Sequence, residues 1–164
     1  MNCPHCKEDG LMTTTYECVE VEQCRTCHGV WLDAGEIELI INDRTTKFSE
    51  QEVKSTLKLA FPGIPKSEAK HHRLCPKCGD RLKAVNYTGD SGVVVDVCPH
   101  EHGLWFDRNE LERVQHFREY WKDNIEKSGL NPSNLIEDED LKEDQVPSRS
   151  LLFNIASYIG DKLS

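Results

Sequence analysis

One thirteen-residue pattern, rich in metal-type ligands, occurs twice in this chain and constrains its fold more than anything else in it. The first copy reads Cys24-Arg-Thr-Cys27-His-Gly-Val-Trp31-Leu-Asp33-Ala-Gly-Glu36. The second reads Cys98-Pro-His-Glu-His102-Gly-Leu-Trp105-Phe-Asp107-Arg-Asn-Glu110, without a gap. Each copy follows a Cys-Pro-x-Cys pair, Cys3/Cys6 and Cys75/Cys78, by about the length of one β-hairpin. Two small units of similar build are expected.

The first unit contains two Cys-x-x-Cys pairs separated by seventeen residues. Each pair fits one tight turn, and a hairpin between them brings the four thiolates together. Four thiolates match tetrahedral Zn²⁺ and leave no open coordination position, which makes the site structural. A unit of this size holds too few apolar residues to fold on burial alone, because hydrophobic residues are only 37% of the chain. Metal binding supplies on the order of 10–16 kcal/mol toward folding. No apolar leader precedes Cys3, so a reducing, cytoplasmic setting is expected, and there such pairs read as metal ligands before disulfides.

In the second unit Cys75, Cys78 and Cys98 repeat Cys3, Cys6 and Cys24, but Glu101 stands where the first unit has Cys27. Three thiolates and one imidazole are an ordinary structural zinc set. His102 is the expected fourth ligand, ahead of His100 and then Glu101. Left without a histidine, the zinc would keep a position for water, with Glu101 as a candidate general base. The ligand set expected for two zinc ions is therefore Cys3, Cys6, Cys24 and Cys27, then Cys75, Cys78, Cys98 and His102. Cys18 is left over and aligns with Gly92; a small, buried or half-buried strand residue is expected there.

These motifs resemble the TFIIB-type zinc-ribbon domain family. The first unit carries the resemblance through Cys3, Cys6, Cys24, Cys27, Gly29, Trp31, Leu32, Asp33, Gly35 and Glu36. The second does so through Cys75, Cys78, Cys98, Gly103, Trp105, Phe106, Asp107 and Glu110, departing at Glu101 and Asn109. The resemblance implies a zinc-bound β-ribbon and a name taken from transcription factors, and it implies no particular activity.

The remaining segments are placed by periodicity. Thr13–Tyr16, Cys18–Val21 and Val93–Val97 read as strands. Asp33 with Glu36, and Asp107 with Glu110, are spaced as capping boxes in front of helices. Residues 48–60 read as a connecting helix capped by Ser49 and Glu52, broken by Phe61-Pro62-Gly63-Ile64-Pro65. Leu111, Val114, Phe117, Trp121 and Ile125 form one apolar stripe on a helix running to about Lys127. His71-His72 read as solvated linker residues.

The expected fold class is small α+β: two zinc ribbons, each a short antiparallel hairpin followed by a helix, plus a linker helix and a C-terminal amphipathic helix. The divisions are 1–47, first ribbon; 48–70, linker; 71–127, second ribbon with its long helix; 128–148, acidic linker; and 149–164, terminal helix.

Net charge is −9, with −5 in residues 1–47, zero in 48–65 and 66–127, and −4 in 128–164. Nucleic-acid binding draws on cationic side chains over phosphates, so this balance disfavours a general nucleic-acid binder. Only Lys77, Arg81 and Lys83 offer a local basic face. No phosphate loop, His-Glu-x-x-His helix or nucleophile elbow is present, so no catalytic residue is assigned. No run of about 20 apolar residues suggests a membrane span. A zinc-dependent protein-interaction or adaptor module with an unidentified protein partner is the favoured reading. Nucleic-acid binding or transcriptional regulation comes second, and a thiol redox switch or an enzyme built on the variant site comes last.

Overall fold

A computed structural model describes residues 1–7, 9–42, 47–60, 63–87 and 91–128. In the first unit β1 (Leu11–Tyr16) and β2 (Val19–Cys24) form an antiparallel hairpin, followed by β3 (Val30–Asp33) and α1 (Glu36–Asn42). The linker helix α2 spans Glu50–Leu57. The second unit contributes β4 (Lys83–Asn86), β5 (Val94–Val97), β6 (Gly103–Phe106) and α3 (Glu110–Ser128).

The local signals act as their chemistry requires. Ser49 caps α2 with a full box: Glu52 N–H donates to Ser49 Oγ at 3.3 Å, and Ser49 N–H donates to Glu52 Oε2 at 2.7 Å. Tyr16 pairs with Val19, which leaves only Glu17 and Cys18 to turn the chain. Both adopt left-handed φ, 46° and 66°, as a two-residue hairpin turn demands. Cys18 is therefore exposed at a hairpin tip, not buried in a strand. Its repeat counterpart Gly92 shares the left-handed conformation, with φ 71°.

The ribbons expected from the sequence each gain a third strand, and the third strands pair with each other. The result is one six-stranded antiparallel sheet in the order β1-β2-β3-β6-β5-β4. Across the β3–β6 seam Val30 lies opposite Phe106, Trp31 opposite Trp105, and Leu32 opposite Leu104. Trp31 and Trp105 are equivalent residues of the repeat, so the two units are related by an approximate two-fold axis at this pair. The physical reason lies in β3 and β6 themselves. Both are apolar on two faces, and either one alone would be an exposed, adhesive sheet edge.

Side chains alternate across the seam. Val30, Leu32, Leu104 and Phe106 enter one core with Val21, Val95 and Val97, beneath α1 residues Ile37 and Ile40 and α3 residues Leu111, Val114 and Phe117. Trp31 and Trp105 point to the opposite face and pack with Cys3, Cys24, Cys75, Cys98 and Leu82. Helices thus cover one face of the sheet while the cysteines and both tryptophans occupy the other. Among the described residues no helix is long and apolar enough to cross a membrane. The acidic linker beyond Ser128 and the terminal helix 149–164 expected from the sequence lie outside the described residues.

Candidate metal centres

The first cluster is assembled from two tight turns. In one, Lys7 takes φ 66° and its N–H donates to Cys3 O at 2.8 Å, while Cys6 N–H donates to Cys3 Sγ at 3.2 Å. In the other, His28 takes φ 60° and donates to Cys24 O at 3.0 Å, and Cys24 N–H donates to Gly29 O at 2.9 Å. These turns bring Cys3, Cys6, Cys24 and Cys27 together with all ligand atoms within 4.8 Å of one another. Cys3 Sγ and Cys27 Sγ are 3.6 Å apart, and Cys6 Sγ and Cys24 Sγ 3.9 Å. A tetrahedral zinc with Zn–S of about 2.3 Å has S···S edges of about 3.8 Å, so the donors fit the ion as they stand.

The second cluster repeats the first pair closely. Gly79, with φ 79°, donates to Cys75 O at 2.9 Å, as Lys7 does to Cys3. Its other turn is reset by one residue. Glu101 takes the left-handed φ of 59°, and its N–H donates to Cys98 O at 3.1 Å, whereas in the first unit the donor is the residue after Cys27. The chain rejoins the common path at Gly103, whose carbonyl accepts from Cys98 N–H at 3.0 Å. The tighter turn leaves the exposed Glu101 side chain at the position of Cys27 and carries the longer imidazole of His102 to the thiolates. His102 Nδ1 lies 3.5 Å from Cys98 Sγ and 3.9 Å from Cys75 Sγ, and Cys78 Sγ lies 3.8 Å from Cys98 Sγ. His100 turns outward, with Nε2 2.6 Å from Asp80 Oδ2. Cys75, Cys78, Cys98 and His102 again place all ligand atoms within 4.8 Å.

Burial pushes the Cys3 thiol up to about 11 and the Cys75 thiol up to about 12, with neighbouring thiols adding to the effect. Such groups shed their protons only to a cation that repays the desolvation of several thiolates at once.

The two clusters are held to each other by contacts that cross the two-fold axis. Lys77, between the cysteines of the second unit's first turn, reaches Asp33 Oδ2 of the first unit at 2.6 Å. His5, between the matching cysteines of the first unit, lies 3.6 Å from Asp107 of the second. Asp33 Oδ1 also accepts from Trp31 Nε1 at 2.8 Å, and Asp107 Oδ1 from Trp105 Nε1 at 3.0 Å. The capping boxes are therefore realised through their glutamates: Glu36 and Glu110 accept from the N–H of Asp33 and Asp107, each at 2.7 Å. The Asp carboxylates are instead engaged by the indoles and by cations, Lys77 at Asp33 and Arg73 at Asp107.

Arg73 adds a buried anchor that periodicity and spacing missed. Its guanidinium donates to Asp96 Oδ2 and, at 2.5 Å, to Asp107 Oδ2, with His5 Nδ1 3.5 Å away. The signal for it was Asp96, a carboxylate in the otherwise apolar run Val93–Val97, which demands a buried partner. Gly29 and Gly103 are set by contacts between the units. A Cβ on Gly29 would fall 2.2 Å from Trp105 Cζ2, and one on Gly103 would fall 2.8 Å from Trp31 Cζ2. Each glycine makes room for the other unit's tryptophan.

One fused sheet with a cysteine cluster from each repeat defines a tandem zinc-ribbon protein that binds two zinc ions per chain. Residues 2–43 and 74–115 match the TFIIB-type zinc ribbon described as transcription factor zinc-finger. These two stretches span just over half of the chain, which belongs to this family. No curated protein and no solved structure matches it.

Proposed function

We propose that the chain is a rigid, zinc-built adaptor module that presents its surface to a protein partner, with His102 as the fourth ligand of the second zinc. The observation that carries this reading is that each cluster gathers four protein donors, so neither zinc keeps a position for a reacting water. A closed ligand set supplies folding energy and shape, not chemistry. The acidic balance of the chain favours a protein partner over phosphates. Capture of partners by the zinc-loaded chain, compared with a metal-stripped sample and with a chain ending at Ser128, tests the reading. Capture that survives zinc removal would count against it.

A second reading, nucleic-acid binding, has one feature in its favour beyond the family's name. An open groove of about 460 Å³ beside β4 is lined by His71, Arg81 and Lys83 over Ile64, Leu82 and Ala84. Binding across a salt series decides between the two, because phosphate contacts make affinity fall steeply with salt. Absence of salt-dependent binding to DNA and RNA removes the second reading.

A further inference from the structure

Beside the second cluster lies another convergence of metal-type donors. Cys78, Asp80 and His100 place their ligand atoms within 4.8 Å of one another, and all three residues are exposed. Cys78 belongs to both groups. We propose that Cys78, Asp80 and His100 form an accessory divalent-metal site that shares the Cys78 thiolate with the second zinc and serves as the route by which that zinc is loaded and released.

The inference rests on the reading of the second cluster as Cys75, Cys78, Cys98 and His102. Of its thiolates, Cys75 and Cys98 are buried, while Cys78 is exposed. Metal arriving from solvent therefore meets the cluster at Cys78. A zinc-bound thiolate retains lone pairs for a second ion. Three thiolates and a neutral imidazole around Zn²⁺ sum to a charge of about −1, which draws a further cation. His100 and Asp80 stand ready as a nitrogen and an oxygen donor, with Nε2 and Oδ2 2.6 Å apart. Zn–N of about 2.0–2.1 Å and Zn–O of about 2.0–2.2 Å place such donors about 3.4 Å apart. The pair must open by less than about 1 Å, and both side chains are more than half exposed, 56% and 58%. Three protein donors leave a coordination position to water, so the ion there exchanges more readily than the zinc held by four protein donors. The first unit has Thr26 in place of His100, which confines the feature to the second unit.

The test starts from the full chain carrying its two zinc ions and titrates further ZnCl₂ by calorimetry. A third, weaker equivalent is expected. Asp80→Asn and His100→Ala should each weaken that equivalent at least about 10-fold, the scale on which lost donors and their partners act. Both variants should retain two tightly held zinc ions by elemental analysis after gel filtration. Release of one zinc to a chelator should also slow several-fold in both. A missing third equivalent, or one that persists in both variants, overturns the site. A third equivalent lost without any change in release rate overturns the loading route. If His100→Ala drops the tight stoichiometry to one, His100 belongs to the second zinc itself and the accessory site fails. If His102→Ala leaves the tight stoichiometry at two, the underlying ligand reading is what fails.

Discussion

Lys77 Nζ sits 2.6 Å from Asp33 Oδ2, joining the metal turn of one repeat to the helix start of the other. Both side chains are about one-third exposed, 35% and 33%, so the pair itself contributes no more than about 1 kcal/mol. Its importance is geometric, because it lies across the same axis as the His5–Asp107 contact and the Trp31–Trp105 pair. The two zinc clusters therefore sit on one face of one sheet, linked through a shared aromatic core.

Arg73 is the costliest of these links to cut. Arg73→Met would leave Asp96 buried without its partner and strip Asp107 of a donor. Removing one side of a buried ion pair costs about 3–5 kcal/mol. Denaturant unfolding of the zinc-loaded variant should show a loss of that size. Lys77→Ala should lose less than about 1 kcal/mol.

Gly29→Ala tests the cross-packing. An added methyl falls inside contact distance of the fully buried Trp105 ring, and overpacking of this kind costs about 1–3 kcal/mol. Gly10→Ala is the control, since nothing lies within 4 Å of its Cβ position. A shift in tryptophan fluorescence should accompany the loss only for Gly29→Ala.

His102→Ala should lower the tightly bound zinc from two ions toward one per chain, as elemental analysis after dialysis against a weak chelator would show. The raised thiols of Cys3 and Cys75 also set a pH dependence. Zinc must displace protons that these groups hold up to about 11 and about 12, so zinc affinity rises with pH across the neutral range.

Glu110 gives a pH dependence of the opposite sense. Burial raises its carboxyl from 4.5 to about 8, despite the N–H it accepts from Asp107. The folded chain therefore holds a proton that the unfolded chain has released. The stabilisation is complete below about 4.5 and is lost progressively as pH rises to about 8. With zinc saturating, wild type should weaken relative to Glu110→Gln across that window, and the difference should level off above about 8. Denaturant midpoints measured in parallel for the two proteins read it directly.

What the sequence determined by itself was local chemistry. Cys-x-x-Cys turns, the Ser49 cap and the stripe through Leu111, Val114 and Phe117 depend on residues a few positions apart, and spacing alone reveals them. The repeat even located the departure at Glu101 and its flanking histidines. The tertiary structure decided everything that depends on which units meet. Nothing in Gly29 or Gly103 says that the tryptophan each accommodates comes from the other repeat. Nothing in Asp33 or Asp107 says that a distant cation will take its carboxylate. That the His102 imidazole, and not that of His100, lies beside Cys75, Cys78 and Cys98 likewise turns on a left-handed residue at 101 in place of one after Cys27. These outcomes follow from pairing two apolar edge strands around an axis, a relation between segments seventy or more residues apart that no local pattern encodes.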